Sequence, residues 1–439
     1  MLRLVYRALW WLVALLAVLR LLIRSRQERW YRERIGERFG FGSVRRADDL
    51  APLIWVHAVS VGETRAAQPL IEALQQAHPE ARILLTHMTP SGRATGVELY
   101  GDRISRSYLP YDSPSLVRRY LRAWRPSLGI VMETEVWPTL IDECKRADIP
   151  LVLTNARMSA CSFKRAAKFG NATREVFGGF TCVLAQTQSD ADRLSALGAR
   201  NVAVLGNLKF DMSAPPELYA RGHAWRAAIG DRPVWVAAST REGEEALVLQ
   251  AFTTLRTRIP EALLILVPRH PQRFDEVAEL IDAAAQSYVR RSAWTGRTAG
   301  SGIDAAPVLP PDVNVLLGDS MGELNAYYAA SDLAFIGGSL LPLGGQNLIE
   351  ACAAGVPVLI GPHTFNFTQA TNDAITEGAA LRVSDPAALA RGLHELFTDK
   401  PRWLAMSAAA SAFAAKHRGA TAKTVAVLGA LLRMQAEDQ

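Results

Sequence analysis

The stretch Ile54-Trp55-Val56-His57-Ala58-Val59-Ser60-Val61-Gly62-Glu63-Thr64 decides how the chain is read. An apolar run ends in His-Ala-Val-Ser, a Val-Gly-Glu turn follows, and residues 64–74 carry a helical pattern. Strand, turn and helix in that order open a doubly wound α/β unit, whose ligands gather beyond the carboxyl ends of the strands. Glu63 therefore stands where a catalytic base is useful. An acidic residue in a first helical turn also serves simply to complement the helix dipole, and the spacing leaves both readings open.

Outward from this stretch the same alternation repeats. Strand-like runs are expected at 53–59, 82–87, 128–132, 151–155, 182–186 and 202–206, each followed by a helical pattern or a turn. A second series follows at 233–239, 262–268, 287–291, 313–317, 333–337, 356–361 and 380–383. Alternating strands and helices imply parallel sheets covered on both faces, and a chain of 439 residues is long enough for two such domains. Pro215 and Pro216 place the link between them. The expected division is an N-terminal anchor with its basic flank at 1–38, a first Rossmann-like domain at 39–212, a second at 213–400, and C-terminal helices at 401–439 that pack back across the first. Two nucleotide folds facing a cleft suit a sugar-nucleotide transferase. No GxGxxG follows the first strand and no GxxxxGK[ST] occurs, which disfavours dinucleotide oxidoreductases and P-loop NTPases.

Residues 1–38 hold nine arginines against three glutamates, a surplus of six, and the whole chain carries a formal charge of +6. The remainder sums to zero, so the basic balance belongs to the N-terminus and a nucleic-acid-binding body is not indicated. The run from Ala8 to Leu19 is uncharged and rich in Leu, Val and Trp. It is short for a full span, lacks a small-x-small cleavage site, and is followed by arginines with Trp30 and Tyr31. An anchor helix that spans or lies in the bilayer surface is expected, with the body in the cytoplasm; the alternative is a hydrophobic core helix of a soluble protein. Cys144, Cys161, Cys182 and Cys352 form no CxxC pair and read as free thiols.

In the second domain, Gly337-Gly338-Ser339 ends a strand and Gly344-Gly345-Gln346-Asn347-Leu348-Ile349-Glu350 opens a helix. Glycines admit close approach of a ligand, N–H groups at a helix start suit a phosphate, and Glu350 can accept from ribose hydroxyls. The bland alternative is a tight turn with Glu350 as a dipole partner. Val267-Pro268-Arg269-His270-Pro271 puts Arg269 at a strand end, where a guanidinium can meet a phosphate. Residues 319–324 form a loop entering a helix, and 239–244 a further strand-to-helix junction with hydroxyls and free N–H groups. In the first domain Met132-Glu133-Thr134-Glu135 follows a buried strand, and Gly206-Asn207-Leu208-Lys209 aims a lysine at the cleft, where it would stabilise a phosphate leaving group or make an ordinary surface salt bridge.

These motifs resemble one family, the 3-deoxy-D-manno-octulosonic acid (Kdo) transferases of lipopolysaccharide assembly. The likeness runs through His57 to Glu63, Met88-Thr89-Pro90, Leu109 to Asp112, Met132 to Pro138, Asn155-Ala156-Arg157, Leu208 to Asp211, Val267 to Pro271, Met321-Gly322-Glu323, Gly337 to Ser339 and Gly361 to Phe367. The chain departs from the family form at Gln346 and Leu348, where that form has His and Pro. The resemblance implies a GT-B glycosyltransferase, membrane-associated at the inner membrane on the cytoplasmic side, that moves Kdo from CMP-Kdo to a lipid A precursor with inversion. No DxD-like pair ends a strand of the first domain, so no metal is expected and the departing phosphate would need cationic or N–H stabilisation. The resemblance further implies Glu63 as general base and Glu133 and Lys209 as transition-state stabilisers. CMP would be held by Pro268, Arg269, Met321, Gly322, Glu323, Asn347, Leu348, Ile349 and Glu350. Competing expectations are a nucleotide-sugar 2-epimerase or another GT-B enzyme using a UDP-sugar, and a membrane-tethered nucleotide-sugar sensor.

Overall fold

Among the described residues the chain forms fourteen strands, thirteen of them at the expected runs, and every pair of neighbours is parallel. A computed structural model describes residues 33–42, 51–211, 215–294 and 308–437. The anchor expected at 1–38 lies outside the described residues up to 32; no helix of the described residues is long and apolar enough to cross a membrane.

The chain divides into two units, Met1–Met212 with His417–Gln439, and Ser213–Lys416. The first sheet contains β1 (Leu53–His57), β2 (Arg82–His87), β3 (Ser105–Tyr108), β4 (Leu128–Met132), β5 (Leu151–Ala156), β6 (Cys182–Ala185) and β7 (Val202–Val204) in the order β3-β2-β1-β4-β5-β6-β7. Strand order reverses between β1 and β4, so the crevice at their carboxyl ends is the position where this topology admits a ligand. All residues of β1, β4 and β5 are buried, as expected of central strands covered on both faces.

The second sheet contains β8 (Val234–Thr240), β9 (Leu263–Pro268), β10 (Tyr288–Arg290), β11 (Val315–Leu317), β12 (Leu333–Ile336), β13 (Val358–Ile360) and β14 (Ala380–Arg382) in the order β10-β11-β9-β8-β12-β13-β14. Its reversal falls between β8 and β12. There the backbones come so close that a Cβ on Gly337 would stand 2.6 Å from the Ser239 carbonyl oxygen, and only glycine fits.

The C-terminal helices divide between the units. Lys400–His417 sets Met406 into the core of the second, whereas Ala420–Glu437 buries Leu428 with Leu70, Ile71 and Leu74 of the first. Asp211 fixes the return by accepting from the Gly419 and Thr421 amides at the start of the last helix.

The end of the supposed basic flank is built into the first unit. In the short helix Ile35–Phe39, Glu37 and Arg38 are buried. The Glu37 carboxylate accepts from the Tyr108 amide at 2.9 Å and from Arg93 at 3.1 Å, and Arg38 donates to the Met88 carbonyl at 3.0 Å while lying over the Tyr108 ring.

Candidate active site

Ser60 caps the helix Val61–Ala66, and Glu63 is its third residue. Glu63 Oε2 accepts from the Val59 amide at 2.7 Å and Oε1 from Ser60 Oγ at 3.3 Å, a reciprocal cap of the S-x-x-E kind. The structural and chemical roles of Glu63 are therefore not exclusive: the cap fixes the carboxylate that would act. Burial pushes its pKa up to about 7, with further upward pressure from Glu135 and Glu133 against the hydrogen bonds from Val59 and Ser60. A carboxylate that titrates near neutrality is matched to taking a proton from a hydroxyl.

Two buried histidines support this turn. His87 Nδ1 donates to the Ala58 carbonyl at 2.9 Å, one residue before the amide that holds Glu63. His57 Nδ1 lies 2.9 Å from Thr86 Oγ1. Burial pulls His57 down to about 3 and His87 to about 4, so both are neutral at pH 7 and neither opposes ionisation changes at Glu63.

At the end of β4, Glu133 adopts the left-handed region with φ 57°, and its Oε1 accepts from Lys209 Nζ at 2.8 Å. A non-glycine residue held there is strained, a condition that gathers at functional sites. Glu135 accepts from Trp137 Nε1 at 3.0 Å, and burial raises its pKa. Lys209 is set by amides at the ends of three successive strands. Asn155 Oδ1 accepts from the Leu208 amide at 3.1 Å, Asn207 Oδ1 from the Lys209 amide at 3.0 Å, and Gln186 Oε1 from Asn207 Nδ2 at 3.1 Å. Gln186 and Asn207 carry no role in the sequence reading. Their only sequence signal is an amide side chain at or just past the end of an apolar run.

In the second unit the strand ends carry the nucleotide-binding candidates. Pro268 closes β9, and the Arg269 amide donates to Thr240 O at 3.0 Å. Arg241 and Arg269 form no ion pair among the described residues, and with Arg273 they hold His270 below its usual value, after loss of solvent as the first cause. The result is a cationic rim suited to a phosphate. Asn347 Nδ2 donates to Glu350 Oε1 at 3.0 Å while its Oδ1 accepts from the Ile349 amide at 3.1 Å. Burial raises the Glu350 pKa against the pull of Asn347 and Arg269. Leu348 and Ile349 are buried, and the Leu348 carbonyl accepts from the Cys352 amide at 3.1 Å.

Met321 is exposed and Gly322 has φ 81°. The Glu323 carboxylate, by contrast, is taken by protein donors: Arg221 at 2.6 Å, Arg291 at 3.1 Å and Ser320 Oγ. It anchors the loop that presents Met321 and Gly322.

One expectation is narrowed. At the 239–244 junction the Arg241 amide is not free, and neither are the amides of Gly338, Ser339 and Leu340 just past β12. Glu244, wholly buried, spends both carboxylate oxygens on them: Oε1 accepts from Ser339 and Leu340, each at 3.0 Å, and Oε2 from Gly338 at 2.5 Å and Arg241 at 3.3 Å. A cradle of successive amides attracts an anion, and here the chain supplies its own.

Known proteins carry the same arrangement of sequence. The family described as 3-Deoxy-D-manno-octulosonic-acid transferase (kdotransferase) matches residues 33–212, and that described as Glycosyl transferases group 1 matches 307–413. A 3-deoxy-D-manno-octulosonic acid transferase of Bordetella pertussis is 47% identical over 89% of this chain and 90% of its own. The enzyme of that name from Haemophilus influenzae is 38% identical over 84% of each. The UDP-GlcNAc 2-epimerase of Neisseria meningitidis superposes with a TM-score of 0.59 over 86% of this chain and 99% of its own, but at 16% identity it shares only the fold. With two parallel seven-stranded α/β sheets and a group 1 glycosyltransferase match, the fold is GT-B-like and the chain is a glycosyltransferase. Identity at this level over nearly the full length of both chains, spanning the segments that carry Glu63, Glu133 and Lys209, places the protein in the 3-deoxy-D-manno-octulosonic acid transferase family.

Proposed function

We propose that the protein transfers Kdo from CMP-Kdo to a hydroxyl of a lipid A precursor with inversion, at the cytoplasmic face of the inner membrane, held there by the apolar and basic segment that precedes the helix Ile35–Phe39. The observation that carries the chemistry is Glu63, fixed by the Val59 amide and raised to about 7 at the carboxyl end of β1. Its carboxylate takes the acceptor proton as the hydroxyl oxygen bonds to the anomeric carbon and the bond to the CMP phosphate breaks. Glu133 offsets positive charge developing on the sugar, and Lys209 offers its ammonium to the departing phosphate. The second unit holds CMP through Pro268, Arg269, the Met321-Gly322 loop anchored by Glu323, and Asn347 to Glu350. No step is assigned to a metal or other cofactor.

The direct test incubates the purified full chain with CMP-Kdo, generated in place, and a tetraacylated lipid A precursor, and weighs the product. A mass gain of Kdo is expected, and its multiple counts the transfers; an unchanged acceptor in the presence of active donor refutes the proposal. Lys209→Met should lower kcat on the order of a hundredfold, as loss of one preorganised charge does, while the dissociation constant of CMP changes little. A rise in KM with kcat intact would instead make Lys209 a ground-state contact.

A further inference from the structure

Arg241 and Arg269 leave neighbouring strands at one level. β8 pairs with β9 so that Thr240 stands opposite Pro268, and the two arginines follow side by side, one strand spacing, about 4.8 Å, apart. The Arg269 amide donates to the Thr240 carbonyl at 3.0 Å and ties the two strand ends together. Ser239 is held in the left-handed region at φ 58°, and the β8–β9 register slips between Ala238 and Thr240. Strain of this kind gathers at ligand-holding sites.

Arg241 is half-buried and Arg269 exposed, and neither guanidinium forms an ion pair among the described residues; Arg273, beside them, is taken by Glu245 and Glu276. A half-buried charge without a partner loses solvation and gains nothing in return, unless a ligand brings the anion. The two arginines face different parts of the site. Glu350, raised by burial, feels the pull of Asn347 and then of Arg269, which sets Arg269 on the side of the ribose candidate. Arg241 lies toward the glycine loop. A Cβ on Gly338 would stand 3.5 Å from Arg241 Cγ and 3.3 Å from Gln346 Nε2, so both side chains overlie the face that this glycine leaves bare. Glu244 fixes the arrangement from beneath, its Oε2 accepting from the amides of both Arg241 and Gly338.

Two cations so placed match two anions on one ligand. Kdo is a 2-ulosonic acid, and its anomeric carbon carries both the carboxylate and the oxygen that joins it to the phosphate of CMP. A phosphate held by Arg269 on the ribose side leaves the carboxylate on the side of Gly338, where a guanidinium can take it in a bidentate pair. We infer that Arg241 binds the carboxylate of the donor sugar and makes the second unit selective for a nucleotide-linked ulosonic acid over a neutral nucleotide sugar. The inference rests on the donor being CMP-Kdo.

Three probes test it on the full chain by calorimetric titration: CMP, an analogue of CMP-Kdo in which a methylene group replaces the oxygen between sugar and phosphorus, and the carboxamide of that analogue. Arg241→Gln should weaken the analogue on the order of 10- to 100-fold, as loss of a charge-assisted hydrogen bond does, and leave CMP within about twofold. The wild type should prefer the carboxylate to the carboxamide by a similar factor, and Arg241→Gln should lose that preference. Arg241→Lys keeps the charge without the fork and should fall between the two. The denaturant midpoint should stay that of the wild type, because the side chain makes no hydrogen bond or ion pair among the described residues. In turnover the loss should appear as a higher KM for CMP-Kdo rather than a lower kcat. Equal weakening of CMP and the analogue would make Arg241 a second phosphate ligand and overturn the inference, as would an analogue affinity that does not move. A wild type that binds CMP, gains nothing from the sugar and transfers no Kdo from active donor removes the donor assignment and this subsite with it; transfer with an unchanged KM in Arg241→Gln removes the subsite alone.

Discussion

Glu63→Gln should lower kcat for Kdo transfer on the order of a thousandfold and leave CMP affinity unchanged. The amide keeps an oxygen for the Val59 N–H but cannot take a proton, so the cap survives and the base does not. In the wild type the same carboxyl should set the acid limb of the pH profile. Its pKa of about 7 means that the active, ionised form is lost as pH falls through neutrality, and kcat/KM should drop tenfold for each pH unit below. Glu135→Gln removes one of the like charges and should move that limb to lower pH; a limb that does not move would mean burial alone sets it.

The sign for stability is opposite. A carboxyl raised above its unfolded value favours the protonated folded state, so its stabilising contribution is full at low pH and is lost as pH rises from about 4.5 to about 7. Glu63→Gln should therefore be more stable than wild type at pH 8, by about 1 kcal/mol once partial solvent exposure is allowed for. A variant that loses transfer and gains melting temperature would mark a base kept at a cost to the fold. Retention of transfer would remove Glu63 from the mechanism.

Glu244→Ala should be the most destabilising single change in the second unit, by about 3–5 kcal/mol. It strips acceptors from four amides at once, those of Arg241, Gly338, Ser339 and Leu340, in a place where the carboxylate is wholly buried. Each unsatisfied buried donor costs about 1–3 kcal/mol, and water entering the vacated space recovers part of the sum. Against a total of about 5–15 kcal/mol for a domain, the denaturant midpoint should fall steeply. Glu244→Gln keeps one oxygen but turns an NH2 group toward amides that need an acceptor, so it should fall between Ala and wild type. Equal midpoints for all three would mean that the loop finds other partners.

The fold was largely legible because central parallel strands are apolar throughout, and 53–59, 128–132 and 151–155 stood out for that reason. The strand at Ser105–Tyr108 was not expected. It lies at the edge of its sheet and reads Ser-Arg-Ser-Tyr, with no apolar run to announce it. The chemistry divided in the same way. Glu63, Glu133 and Lys209 each sit just past a strand, a place that sequence periodicity finds. Glu244 was overlooked because nothing local says that a first-turn glutamate reaches residues 94 to 96 positions later. The same long reach hides Gln186, and it hides the role of Asn155, a motif residue whose value lies in holding Lys209 from another strand end.

The return of the last helix to the first unit also sets an order of completion on the ribosome. Leu70, Ile71 and Leu74 are covered in part by Leu428, so the first unit, although made first, keeps an apolar face open until the C-terminus emerges. At ordinary elongation rates that interval is roughly 10–40 s. The second unit is one continuous segment and can close as it is made, so the part translated later is the part finished earlier. Nascent chains stalled before residue 420 should expose the face of the Gln68–Ala77 helix to chaperones, whereas released chains should not.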